Sequence, residues 1–179
     1  MKRNLFLLLY AFICISLNAE ITRSVYGVSL GMTADQARNI MKTKGLTYYI
    51  EDSKVGMTIN VSHPFFAGVQ WSGLVLTIFE GKVYSITFGK EAYNYNEIAT
   101  DVYTIVSKLD KYQAYGVEDK SYHLDTDGGT IFNYLWNDSK TALLIAGEAP
   151  YYGKSSLSAT YLDVALYNKY LSAKSRDEL

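Results

Sequence analysis

Cysteine is all but missing here. Cys14 is the only one in 179 residues, so no disulfide can form within the chain. Histidine is nearly as scarce, limited to His63 and His123. Zinc usually draws three or four Cys, His or carboxylate ligands, so two distant histidines give no recognisable metal set, and no cofactor is implied. With only two prolines and no Pro/Gly/Ser-rich run, nothing marks a linker. Basic residues are not in excess either, at 17 Lys and Arg against 18 Asp and Glu. That balance argues against nucleic acid or an anionic membrane as partner, since both need a basic surface.

The longest apolar run, Leu5 to Leu17, is short of the roughly 20 residues that span a bilayer. It follows Lys2 and Arg3 and precedes Ala19, the pattern of a secretory signal peptide cut before Glu20. Residues 1–19 are therefore expected to be a leader, and 20–179 a single domain. Removing Lys2 and Arg3 leaves 15 basic against 18 acidic residues, a net charge of −3. Two features suggest a eukaryotic lumen instead. One is the Arg176-Asp177-Glu178-Leu179 tail, and the other is the sequon pair Asn60-Val61-Ser62 and Asn137-Asp138-Ser139. Lumenal proteins commonly use disulfides, and this chain has none to use. A periplasmic or secreted location in a bacterial envelope is the expectation.

Thr33 and Gln36 form a capping box ahead of Ala37, Ile40 and Met41, and Gly45 suits the far end of that helix. Strand-like runs follow at 46–52, 55–62, 69–79 and 82–88, with Glu80-Gly81 as a two-residue hairpin turn. Within 82–88, the set Tyr84, Ile86 and Phe88 is expected to face the core, and Val83, Ser85 and Thr87 to face away. A second helix starts near Asn94 or Asn96, with Ile98, Val102, Ile105 and Leu109 as its apolar stripe. Strands at 129–136, 141–146 and 157–167 complete the chain, with 147–156 as a loop. The order predicts an α+β fold. Two tandem helix-then-strands units, about 20–92 and 93–179, would form antiparallel sheet packed on one face by helices.

Gly27-Val28-Ser29-Leu30-Gly31 spells the G-x-S-x-G of a hydrolase nucleophile elbow. Its context is wrong, because an α/β-hydrolase needs earlier parallel strands to build its oxyanion hole. The glycines read as turns leading into a capped helix. Asp125-Thr126-Asp127-Gly128-Gly129 lacks the later oxygen ligands of a calcium loop and reads as a β-turn. Glu51-Asp52 and Glu118-Asp119 are adjacent in sequence, and strand neighbours point to opposite faces, so neither makes an acid–base couple.

Tyrosine is what the chain has in plenty: 17, beside 7 Phe and 2 Trp. Sheet-filling is one explanation. A binding face is the other, because Tyr and Trp give large contact area at low entropy cost. Taking Leu162, Val164 and Leu166 as core-facing turns Tyr161, Asp163 and Tyr167 outward. Phe132, Tyr134 and Trp136 share a strand face opposite Ile131, Asn133 and Leu135. The candidate binding residues are thus Phe132, Tyr134, Trp136, Tyr161 and Tyr167.

The run "YGVSLGMTADQARNIMKTKG", with "HPFFAGVQWSGLVLTIFEGKVYSITF", resembles small exported proteins of Bacteroidetes. Gly31 to Ala37, Phe66-Ala67-Gly68 and Phe79-Glu80-Gly81-Lys82-Val83 carry the likeness, and the terminal "ATYLDVALYNKYLSAKSRDEL" is similar to that group's closing strand and acidic tail. The tandem plan is also similar to the β-lactamase inhibitor protein and to small outer-membrane assembly lipoproteins. That resemblance implies binding of another protein through a sheet face or edge. The leading expectation is a non-enzymatic envelope protein that binds a protein, or a glycan, through its sheet. The alternatives are an inhibitor of a specific enzyme and a small hydrolase using Ser29 with His63 or His123.

Overall fold

The computed structural model describes residues 21–54, 56–92, 95–109, 121–124, 130–149 and 154–177. The leader, the turn at 125–129, the Glu118-Asp119 pair and residues 150–153 of the expected loop lie outside the described residues. So do the side chains of His123, Ile131 and Phe132.

Strands β1 (Ser24–Val25) and β2 (Val28–Ser29) form a small hairpin whose turn residues, Tyr26 and Gly27, have φ of 60° and 84°. Helix α1 (Ala34–Thr43) starts at Thr33 as expected. The Gln36 amide donates to Thr33 Oγ1 at 3.3 Å, and the Thr33 amide donates to Gln36 Oε1 at 3.0 Å. Gly45 follows at φ 66°. Then come β3 (Tyr48–Ser53), β4 (Gly56–Ser62), the short pair β5 (Phe65–Phe66) and β6 (Val69–Gln70), β7 (Gly73–Phe79) and β8 (Lys82–Ala92). Both turn residues between β7 and β8 have positive φ, Glu80 at 50° and Gly81 at 73°, as a tight twisted hairpin requires. Helix α2 (Tyr95–Leu109) precedes β9 (Ser121–Leu124), β10 (Thr130–Asn137), β11 (Thr141–Ala149) and β12 (Ser155–Asp163). The chain is α+β. Eight of the strands form one antiparallel sheet in the order β3-β4-β7-β8-β12-β11-β10-β9.

One face of this sheet carries the core. Leu74, Leu76, Ile86, Phe88, Leu143, Ile145, Leu157, Ala159 and Tyr161 are buried there. Helix α1 adds Ala37 and Met41, and α2 adds Ile98, Val102, Ile105 and Leu109. Each buried aliphatic side chain of this size contributes about 1.5–3 kcal/mol of transfer free energy. The β5–β6 hairpin folds over the same face, where Phe66 stacks on Phe88 at 4.5 Å between centroids and the Trp71 indole donates to the Phe66 carbonyl at 3.0 Å.

Three expectations are corrected. Pairing slips from Thr77↔Ser85 to Ile78↔Val83, so Tyr84 is the extra residue of a bulge. The bulge places Val83 in the core cluster and leaves Tyr84 outside it. Second, the last strand ends at Asp163, and a third helix, α3 (Val164–Asp177), replaces the expected strand continuation. Asp163 caps it by accepting from the Leu166 amide at 2.9 Å. Third, α3 does not join the helix layer. Its Tyr167 and Tyr170 stack on Tyr84 at 6.2 and 5.0 Å, and Tyr170 meets Phe79 edge-on at 5.8 Å. Burial by this cluster, then the neighbouring Tyr170 and Tyr167, raise the Tyr84 phenol pKa far above its ordinary value.

Candidate functional site

The aromatic residues singled out in the sequence do not form an exposed stripe. Trp136 and Tyr161 are each 1% exposed and belong to the core. In β12 the buried set is Ser155, Leu157, Ala159, Tyr161 and Asp163, while Leu162 is only half-buried. The alternation is therefore opposite to the one expected. Its physical cause is α3: Val164 and Leu166 are helical, so they cannot fix the parity of the strand before them. Asp163 is buried because it pairs with Arg23, whose guanidinium also donates to the Lys140 carbonyl and the Thr141 hydroxyl at 3.1 Å each. Tyr134 is half-buried and stacks on Trp136 at 6.1 Å. Burial, and then Tyr103, raise its pKa. Tyr167 sits on α3 against Tyr84. Structure brings Tyr134, Trp136 and Tyr161 into or against one core and leaves Tyr167 apart.

Ser29 lies in β2, paired with Ser24. The left-handed residues are its neighbours Tyr26, Gly27 and Gly31, so no nucleophile-elbow strain falls on the serine. His63 is exposed in a turn at φ 53°. Among the described residues, no group of three or more His, Cys, Asp or Glu is gathered at metal-binding distance.

The other face of the sheet is only partly covered: Ser85 on it is buried, and most of its other residues are half-buried. Register places Thr58, Thr77 and Ser85 in one row across β4, β7 and β8. The next row is Asn60, Val75, Thr87, Thr160 and Leu144, and the one after is Ser62, Gly73, Gly89, Ser158 and Ala146. Most of the residues are small, and three of the hydroxyls hydrogen-bond in a chain. Ser85 Oγ and Thr87 Oγ1 are 3.1 Å apart, and Thr160 Oγ1 lies 3.2 Å from Thr87 Oγ1. Between β7 and β12 the face dips into a shallow cavity of about 480 Å³ lined by Gly73, Val75, Thr87, Gly89, Ser156 and Ser158. Ser156 and Ser158 also line a second dip of about 240 Å³ toward Asn133 and Glu148. Glu91 and Glu148 flank Ser156 across the strands, and Lys154 pairs with Glu91 at 2.7 Å.

The face has no exposed aromatic ring from β4 to β10 among the described residues, because Phe79 and Tyr84 are buried beneath α3. At about 4.8 Å per strand it is roughly 24 Å wide. Among the described residues no carboxylate or histidine is hydrogen-bonded to a hydroxyl of this face, and what the arrangement offers is hydrogen bonding and close approach. A sequence signal for these residues did exist. Ser156, Ser158 and Thr160 alternate with Leu157, Ala159 and Tyr161, and Ser85 and Thr87 fall in the non-core set of β8.

No protein-family model matches this chain, and no curated protein or solved structure matches it significantly.

Proposed function

We propose that this chain is an exported, non-enzymatic binding protein of the cell envelope, and that the open face of its sheet docks a partner protein. The observation that carries the reading is that face. Its rows of Ser, Thr, Gly and Ala let another backbone approach closely, and the 480 Å³ dip gives one protruding side chain a seat. Its one exposed ring among the described residues, Tyr49 at the β3 edge, does not line the dip, which favours a protein over a glycan because sugars are commonly held by aromatic stacking. Export rests on the Lys2-to-Ala19 leader pattern. The test is capture from an envelope extract of the source cells by immobilised residues 20–179. A partner lost on Ser156→Arg/Ser158→Arg, with the fold intact by circular dichroism, supports the reading. A partner retained by that variant removes the face from it.

A narrower reading, inhibition of a partner enzyme, draws on chain order. A helix precedes β3, β4, β7 and β8, another precedes β9 to β12, and β8 pairs with β12. In this reading residues 20–92 and 93–179 are two tandem units that meet at that pair, a plan similar to the β-lactamase inhibitor protein. Assays of secreted hydrolases, β-lactamases included, test it. Unchanged rates at saturating protein would end it.

A further inference from the structure

The edge of the sheet raises a separate question. Strand β3 lies at one end of the strand order; all six of its residues pair with β4, and none pairs with another described strand. Edge strands are commonly blunted by a proline, a bulge, a central lysine or shortness. Within β3 the register is unbroken, and neither proline nor lysine occurs; Lys54 stands just beyond it, in the turn. At about 3.4 Å per residue, some 20 Å of backbone edge is left unpaired by the described strands. Tyr49 is 57% and Ile50 39% exposed, on opposite faces of the strand.

Charge chooses the occupant. Glu51 and Asp52 are exposed and form no ion pair among the described residues; the nearest polar contact is the Asn60 amide, 3.5 Å from the Glu51 carboxylate. A second copy pairing antiparallel with its core on the same side can centre on Ile50 or on Glu51, because the side chains fix only the parity of the register. Centred on Glu51, the two Glu51 carboxylates stand directly opposite each other; centred on Ile50, they are diagonal neighbours about 7–8 Å apart at the backbone. Like charges that close are unfavourable, whereas a basic strand neutralises them.

We propose that β3 accepts an extended basic segment of another polypeptide as a further antiparallel strand. Backbone N–H and C=O groups along the open edge bind the segment irrespective of its sequence, and side chains select it. The strand takes an apolar residue opposite Ile50. It takes one basic residue opposite Glu51 on the open face and another opposite Asp52 on the helix-covered face. From N to C terminus, the matching hexapeptide is Thr-Lys-Lys-Val-Thr-Val.

Fluorescence anisotropy with that labelled peptide and the mature chain tests the proposal. Expected is saturable binding that weakens as salt rises. Methylating the amide nitrogens of two adjacent central residues blocks the bonding edge, whichever of them faces β3, and should cost at least tenfold. Glu51→Lys/Asp52→Lys should cost at least as much, and the milder Glu51→Gln/Asp52→Asn several-fold. Ser156→Arg/Ser158→Arg should leave peptide binding unchanged, which separates this edge from the open face. Absence of binding would overturn the proposal, as would equal binding of the methylated peptide or indifference to both carboxylate variants. A sedimenting dimer dispersed by Ile50→Lys would give the edge to a second copy and overturn it too.

Discussion

Thr160 Oγ1 on β12 lies 3.2 Å from Thr87 Oγ1 on β8, a side-chain link across the pair of strands that joins the two four-strand runs. Ser85 extends the link, 3.1 Å from Thr87. These two bonds hold the hydroxyls of Ser85, Thr87 and Thr160 to one another at the centre of the open face.

Thr160→Val keeps the shape and removes the link. The expected loss is about 1 kcal/mol, the net worth of an ordinary hydrogen bond, read as a lower urea midpoint with unchanged slope. A shift too small to measure would mean that water replaces the bond.

Trp136→Ala and Tyr161→Ala empty space in the core and should each cost about 3–5 kcal/mol. Equilibrium urea unfolding measures this. A loss below about 1 kcal/mol in either would contradict the buried positions described above.

Tyr84 reports the docking of α3. Its phenol is held above its ordinary pKa by burial first and then by Tyr170 and Tyr167. In Tyr167→Ala/Tyr170→Ala, one more tyrosine than expected from the deletions should ionise in the ordinary range near pH 10. Absorbance at about 295 nm, followed during a pH titration, counts it. No added low-pH ionisation would mean that α3 does not cover Tyr84.

Lys90 ties β8 to α2, with Nζ 2.6 Å from Glu97 and 2.7 Å from Asp101. Burial lowers its pKa, but the hydrogen bonds it donates to Asp101 and Glu97 outweigh this and leave it raised above 10.5. A folded-state pKa above the unfolded one stabilises fully below the unfolded value, and that stability is lost as pH rises through the folded value. The wild-type advantage over Lys90→Met should therefore be constant between about pH 6 and 9, where both carboxylates are ionised, and shrink beyond 10.5. Comparing the two proteins cancels the tyrosine titrations. Parallel pH curves for the pair would refute the assignment.

Gly56 opens β4 where a Cβ would collide with the Ile78 carbonyl oxygen. Backbone on both sides cannot yield cheaply, so Gly56→Ala should destabilise by about 1–3 kcal/mol. It should also loosen β3 and β4 first, a pattern visible as faster amide exchange in those strands.

Much of the fold is written locally. Thr33 with Gln36, the four-residue stripe Ile98–Val102–Ile105–Leu109 and the Glu80-Gly81 turn each need only near neighbours, and each forms as the sequence predicts. Antiparallel pairing follows from short turns between strands. What the sequence did not decide is which face of β10 and β12 is covered. Alternation defines two sets of residues without saying which set meets a helix, and Leu162, Val164 and Leu166 favoured the wrong one. Only the packing of α2 against β11 and β12, with Phe66 edge-on to Tyr161, and the conversion of residues 164–177 to a helix capped by Asp163, fix the choice. Burying the aromatics removes more apolar area from water than burying Ser156, Ser158 and Thr160 would. That difference turned the tyrosines inward and left hydroxyls on the open face.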